Sequence, residues 1–359
     1  MNSKTSSSIP VNDKRQVAVV ILNWNGLRFL QQFLPSVVEY TSHDAQIWIA
    51  DNGSTDASLD WVSANFPEVR IHRNGKNHGF ALGYNEALKH IDAQVYVLLN
   101  SDVEVTPNWL PPVLQYMERE NIVACQPKIL DCNRRDFFEH AGATGGFIDR
   151  NGFVFCAGRI FNAFEEDHGQ YNANKEVFWA SGACLVVRSS AYHEVDGLDA
   201  DFFAHMEEID LCWRLKNRGY RIGACGESAV YHVGGGTLDK LNPFKTFLNF
   251  RNNLFILVKN YHYGSLVRIL LKRMTLDGIA AFRFITEGKW SYFTAVFKAH
   301  MSFYAMLPLM LGKRKAIVNK LNERQATANR KGWYTGSIIR DYFLKKITRF
   351  SDLPSERFM

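Results

Sequence analysis

The chain has 359 residues, 47% of them hydrophobic and 22% charged, with a formal net charge of +6. A chain of this size and apolarity buries a substantial core, which excludes a disordered protein and leads one to expect one large domain with an appendage. Its six cysteines include no Cys-x-x-Cys pair and no signal-peptide pattern precedes the first apolar run, so the composition points away from a zinc knuckle or a disulfide framework and toward a reducing, cytoplasmic setting.

Residues 1–16 are polar and without periodicity, as in a loose arm. Val17 to Leu22 is a continuous apolar run ending in Asn23, Trp24, Asn25 and Gly26, then an amphipathic stretch from Leu27 to Tyr40, so a strand followed by a helix is predicted. The next strand, Gln46 to Ala50, ends in Asp51-Asn52-Gly53-Ser54-Thr55-Asp56, a turn with helix-capping residues ahead of a helix over Ala57 to Asn65. Val69 to His72 reads as a third strand, Gly79 to Lys89 as a third helix and Val95 to Leu99 as a fourth strand. This alternation predicts a parallel sheet of right-handed βαβ units. After a helix (Trp109 to Glu120) and a strand (Ile122 to Gln126), Leu130 to Asn174 loses regularity and reads as an insertion that shapes a substrate cleft. Order returns over Glu176 to Arg188, in a helix from Phe203 to Arg218 and in a strand from Arg221 to Val233 that runs into Gly234, Gly235 and Gly236. Phe244 opens a helical, aromatic and basic portion.

The polar residues that chemistry needs sit at the strand ends, where open α/β sheets place their ligands. Asp102, just past the fourth strand, suits a hard divalent cation bridging a diphosphate, although Asn100 and Asp102 equally suit a turn. Asp51 can accept from a base or a ribose hydroxyl, or simply cap its turn. Asn77-His78-Gly79, with Gly83 one turn on, places glycines at a helix start, where backbone N–H groups favour a phosphate. The acids Glu207, Glu208 and Asp210 can hold a general base, or complement a helix dipole. Trp179 and Trp213 can line a sugar pocket or belong to the core.

As an ordered set, Val19 to Asn25 (VVILNWN), Ala50 to Asp56 (ADNGSTD), Asn77 to Leu88 (NHGFALGYNEAL), Leu98 to Val105 (LLNSDVEV), Ser181 to Cys184 (SGAC) and Met206 to Tyr220 (MEEIDLCWRLKNRGY) resemble the family-2 glycosyltransferases, in particular their rhamnosyl- and galactofuranosyl-transferase-like branch. The resemblance implies an α/β fold, a nucleotide-sugar-binding αβα sandwich with a mostly parallel sheet, and transfer with inversion at the anomeric carbon. It implies Mg2+ or Mn2+ as cofactor, held by Asp102 and by His232. It implies donor contacts from Asn23, Asp51, Asn77, Gly79, Gly83 and Asn100, where Asn100 replaces the Asp of many relatives. Glu208 takes the place of the base, with Glu207 and Asp210 beside it. The expected donor is a UDP- or dTDP-sugar, and the expected acceptor a cell-envelope glycan or a polyprenyl-diphosphate-linked sugar.

From Lys240 onward the sequence holds 22 Lys and Arg against 6 Asp and Glu, whereas residues 1–239 hold 20 against 30. The expected division is an arm (1–16), a catalytic domain (17–243) and a basic helical region (244–359). No stretch is apolar enough to span a membrane. Basic amphipathic helices suit an anionic membrane surface at the inner face of the plasma membrane, or a subdomain packed on the core. No recognised motif supports nucleic acid as a partner. Two rivals remain open: a catalytically silent nucleotide-sugar-binding scaffold, and a sugar nucleotidylyltransferase, which releases pyrophosphate instead of a nucleoside diphosphate.

Overall fold

A computed structural model describes residues 16–139, 143–234, 242–324 and 327–359. Residues 1–15 of the expected arm, and Gly235 and Gly236, lie outside the described residues. Strands β1 (Val17–Asn23), β2 (Gln46–Asp51), β3 (Arg70–Arg73) and β4 (Val95–Asn100) alternate with helices α1 (Leu27–Thr41), α2 (Ser58–Asn65) and α3 (Gly79–Leu88). All four strands are mutually parallel, in the order β3-β2-β1-β4. Their side chains alternate between two cores: Ala18, Val20, Tyr96 and Leu98 face one, and Val17, Val19, Ile21, Val95, Val97 and Leu99 the other. Helix α1 covers the second core because Leu30, Phe33, Leu34 and Val37 recur at helical spacing.

Beyond β4 the sheet becomes mixed. Strand β5 (Val103–Val105) and helix α4 (Leu110–Arg119) lead to β6 (Ile122–Asp131), which extends five residues beyond the predicted end. The irregular region is a second, five-stranded sheet built from β7 (Gly146–Asp149), β8 (Val154–Cys156), β9 (Arg159–Ile160) and β10 (Ala163–Phe164), joined by β14 (Trp333–Tyr334) from near the chain end. The main sheet is completed by β11 (Lys175–Val177), β12 (Cys184–Arg188) and β13 (Arg221–His232), between which lie α5 (Ser189–Glu194) and α6 (Glu207–Asn217). Strand β12 runs antiparallel to β4, with Cys184 opposite Leu99, so the loop before it lies at the carboxyl end of β4.

Helices α7 (Pro243–Asn260), α8 (Leu266–Thr286) and α9 (Trp290–Arg324) follow. Helix α7 is buried from Arg251 to Asn260, and after α9 the chain returns to the sheet-bearing part, where Asn329 bonds Lys216, Glu176 and Tyr220 and Trp333 packs on Trp213. The division at residue 243 thus separates stretches of sequence that share one core. No described helix is long and apolar enough to cross a membrane.

Candidate active site

Because β1, β2 and β4 are parallel neighbours, their carboxyl ends align: Asn23 lies opposite Asp51, and Leu22 opposite Asn100. The strand order reverses here, with β2 on one side of β1 and β4 on the other, which is where such sheets open a ligand crevice. Asn23 is fully buried and donates to the Ser54 and Ser58 hydroxyls at 3.0 Å and to Asp51 at 3.4 Å. It shapes the turn after β2, while its side-chain oxygen is buried without a hydrogen-bond partner. Asp51 caps the same turn, accepting the N–H groups of Gly53 and Ser54 at 3.2 Å. A carboxylate accepts about four hydrogen bonds, so capacity remains for a base or ribose group.

The glycine segment is organised differently from the expected phosphate cradle. Gly79 has φ +73° and its N–H is taken by the Asn77 side chain at 2.8 Å, while the N–H of His78 is taken by Asn52 at 3.1 Å. Two of the amides a phosphate would use are already satisfied by side chains. A Cβ on Gly83 would come within 3.0 Å of Leu22 and 3.1 Å of Asn52, so this glycine lets α3 pack closely on the strand tips. Asn52 ties the three loops together: its amide also donates to Asn77 at 3.0 Å and to the Gly79 carbonyl at 2.9 Å, and it accepts from Asn74 at 3.2 Å. Its place between Asp51 and a glycine made it look like one more turn residue.

Asp102 and His232 are distant in sequence but adjacent in space, because the end of β13 pairs with β5 and sets His232 opposite Val103. His232 Nε2 lies 3.2 Å from Asp102 Oδ1, and its Nδ1 lies 3.2 Å from Glu139 Oε2. Burial alone would depress the imidazole, but the Asp102 and Glu139 carboxylates outweigh it and lift its pKa to about 10. The Asn100 amide is 3.4 Å from the same Nε2, and the Asn100 N–H donates to the Ala183 carbonyl at 3.0 Å. Glu139 is a residue the sequence did not disclose, since it sits in the irregular stretch after β6. Among the described residues, no group of three or more His, Cys, Asp or Glu converges on a single point, because His232 stands between the two carboxylates.

The loop of Ser181 to Cys184 links this pair to the acid cluster. A Cβ on Gly182 would sit 3.6 Å from the Glu208 Cβ, so this loop lies in direct contact with the Glu208 side chain. Glu207 and Glu208 each keep one buried carboxylate oxygen with no hydrogen-bond partner. Burial raises the Glu208 pKa to about 7, against the pull of backbone N–H groups around it, and burial together with the neighbouring Glu208 charge pushes Glu207 well above the usual carboxylate range. The surroundings therefore favour the neutral form of Glu207, whereas Glu208 changes protonation near pH 7.

Asp210 differs from both. It is fully buried, and although burial raises its pKa, Arg214 and Lys259, each 2.8 Å away, together hold it below the usual carboxylate range. Asn260 donates to it at 2.8 Å. These contacts fasten α6 to α7. Asp210→Ala should lower unfolding stability by about 3–5 kcal/mol, because it leaves the buried Arg214 without a carboxylate partner, while Lys259 keeps Asp199 at 2.5 Å. Urea denaturation checks this, and a loss well under that range would mean the network relaxes around the gap.

The expected helix from Phe203 begins only at Glu207. Phe203, His205 and Met206 all have positive φ, at 66°, 66° and 76°. A non-glycine residue in this region costs of order 1–3 kcal/mol, so the surroundings must impose the conformation. Asn252 of α7, fully buried, supplies that constraint by donating to the carbonyls of Phe202, Ala204 and His205 at 3.0, 2.9 and 2.8 Å. Arg251 adds a bond to the Phe202 carbonyl at 3.0 Å. The helical unit thereby sets where α6, and with it Glu208, begins. Asn252→Ala is expected to reduce turnover by about 10- to 100-fold with little change in donor affinity, since a misplacement of about 1 Å can cost that much. Steady-state kinetics beside donor titration would show it, and a change confined to donor affinity would contradict it. Trp179 and Trp213 belong to the core: Trp213 is fully buried against Phe178 and Trp333, and the Trp179 indole donates to the Phe147 carbonyl at 3.0 Å.

A mostly parallel sheet that gathers a carboxylate–imidazole pair and two partly unpartnered acids at its carboxyl edge defines an α/β glycosyltransferase fold. Residues 18–196 match glycosyl transferase family 2, and the chain belongs to that family, in its rhamnosyltransferase-like branch. Among its relatives, the low-salt glycan biosynthesis hexosyltransferase Agl10 of Haloferax volcanii is 22% identical over 293 residues, which cover 79% of this chain and 89% of the relative. The N-acetylglucosaminyl-diphospho-decaprenol L-rhamnosyltransferase of Mycobacterium tuberculosis is 27% identical over 230 residues, 59% of this chain and 72% of that protein. Among solved structures, GalNAc-T7 with UDP, GalNAc and Mn2+ matches with a TM-score of 0.54 at 15% identity over 69% of this chain; the chain spans about half of GalNAc-T7, 48% of its length. That likeness shows the fold. The protein is an enzyme, a glycosyltransferase that uses a nucleotide sugar.

Proposed function

We propose that this enzyme transfers a sugar, with inversion and with the help of a divalent metal, from a nucleoside-diphosphate sugar to a hydroxyl group of a cell-envelope glycan or of a polyprenyl-diphosphate-linked sugar. The observation that carries this reading is Glu208: its pKa is raised to about 7, and one carboxylate oxygen is buried without a partner beside the loop that also meets Asn100. A base that titrates near the working pH is what inversion requires. Glu208 takes the proton of the acceptor hydroxyl as its oxygen bonds to the anomeric carbon, and the bond to the nucleoside diphosphate breaks on the opposite face. Glu207, neutral, donates a hydrogen bond to the acceptor, and Asp210 holds α6 in register.

Asp102 and His232 fit a hard divalent cation, one offering a carboxylate oxygen and the other an imidazole nitrogen, with the remaining positions left to diphosphate oxygens and water. Glu139 on the second ring nitrogen orients the imidazole, as carboxylates commonly do for metal-binding histidines. Mg2+ or Mn2+ bound there would neutralise charge on the departing diphosphate. Asp51 accepts from the base or ribose, while Asn23, Asn52 and Asn77 keep the loops in place. The mycobacterial relative, an L-rhamnosyltransferase of N-acetylglucosaminyl-diphospho-decaprenol, supports a lipid-diphosphate acceptor and a deoxyhexose donor. A thermal-shift screen of UDP-, GDP- and dTDP-sugars with and without Mn2+ tests the donor side, because a ligand that binds only the folded state raises the melting temperature. Absence of a metal-dependent shift with every donor would remove the reading.

A further inference from the structure

The large apolar side chains left in solvent are concentrated in one place. Of the sixteen that are strongly exposed among the described residues, ten lie on α8 and α9, so a surface patch needs explaining and not isolated residues. On α8, Val267, Leu271, Ile279 and Phe282 fall on one helical stripe and are 62–67% exposed. On α9, Trp290, Phe297, Met301, Tyr304 and Leu311 do the same at 44–60%. The opposite faces are spoken for: Ile269, Arg273 and Ala281 of α8, and Ala295, Ala299 and Phe303 of α9, are buried. The two stripes flank one seam, where the Tyr304 hydroxyl reaches the Met274 sulfur at 3.6 Å and the rings of Phe284 and Tyr292 meet at 5.4 Å.

The charge on this face has one sign. Exposed Arg268, Lys272 and Lys298 adjoin Val267, Leu271 and Phe297 in sequence. The two acids between residues 262 and 315 are both engaged, Asp277 buried with Arg273 and His300, and Glu287 between Arg283 and Lys289. A second copy of the same basic face would meet it with like charges, which disfavours self-association. Apolar and aromatic residues interleaved with cations, on helices too polar to span a bilayer, are complementary to a surface that is apolar beneath and anionic above.

We propose that the α8–α9 hairpin docks on an anionic lipid bilayer, with Phe282, Trp290 and Phe297 entering the headgroup boundary and Arg268, Lys272 and Lys298 meeting lipid phosphates. The proposal goes beyond the transfer reaction and uses no residue of the catalytic site, so the two stand or fall separately. Helix α7, which packs against α9 and carries Asn252, links the docked hairpin to the segment ahead of Glu208.

Flotation of the full chain with vesicles of phosphatidylcholine, alone or mixed with phosphatidylglycerol, tests the proposal. The expected result is binding to the mixed vesicles that weakens at high salt and is far lower on neutral ones. Arg268→Glu with Lys272→Glu should weaken it by roughly fivefold or more per site, and Phe282→Ser with Trp290→Ser and Phe297→Ser by at least about tenfold. All are exposed positions, and unchanged donor-induced thermal shifts report that the variants fold. Equal binding to both vesicle types, binding to neither, or unchanged binding by both variants overturns the proposal. So does a lipid-free dimer, seen by sedimentation velocity, that the apolar variant converts to monomer.

Discussion

Glu208→Gln should lower turnover by about 10²–10⁴ while leaving affinity for the nucleotide sugar unchanged, because it preserves size and most hydrogen bonding but removes the proton acceptor. The wild-type rate should also carry the titration of this group. A base must be deprotonated to act, so kcat/KM is expected to fall as pH drops through about 7, the value to which burial raises Glu208. Glu207→Gln should cost much less, since burial and the Glu208 charge favour the neutral form of Glu207 and an amide reproduces its donor. If Glu207→Gln instead abolishes transfer while Glu208→Gln retains it, the base has been assigned to the wrong neighbour.

The second large effect concerns Asp102. Asp102→Ala should abolish the Mn2+-dependent part of nucleoside diphosphate binding, measured by calorimetry with and without metal, because it removes the oxygen ligand of the pair. The pairing with His232 adds a pH signature. Asp102 and Glu139 hold His232 protonated up to about pH 10 in the metal-free protein, so a cation must displace that proton. Metal affinity should rise with pH by about tenfold per unit below pH 10, with release of about one proton. Unaltered metal affinity in Asp102→Ala, or uptake that ignores pH, would count against Asp102 and His232 as ligands.

The parallel half of the fold was legible because each of β1, β2 and β4 is an apolar run closed by turn residues, and those same turn residues are the strand tips of the site. Asp102 and His232 were brought to one place by the family resemblance and not by a local pattern; in the fold, Asp102 follows β4 and His232 is the last residue of β13. Strands β7 to β10 were not legible: they are two to four residues long, too short for a period-two pattern to register, and their sheet is completed by β14 from near the end of the chain. The false start of α6 at Phe203 has a similar origin. Phe203 to Met206 continue the apolar pattern of the helix, and only Asn252, far along the chain, holds them in positive φ. Asn252 and Glu139 are polar residues in segments that read as a solvated helix face and an irregular loop; their roles arise from tertiary contacts that local patterns do not encode. Gly79 and Gly83 were recognised as special, but their reasons are a positive φ and close packing on Leu22 and Asn52.

The central claim, inverting transfer from a nucleotide sugar, is tested most directly by following one turnover to its products. The wild-type enzyme is incubated with Mn2+, a panel of nucleotide sugars and a polyprenyl-diphosphate-linked sugar acceptor, with the released nucleotide and the anomeric configuration of the product read by NMR. Release of free nucleoside diphosphate, with the new linkage of opposite anomeric configuration to the donor, is the predicted result. Release of pyrophosphate, or a product that retains the donor's configuration, would contradict it.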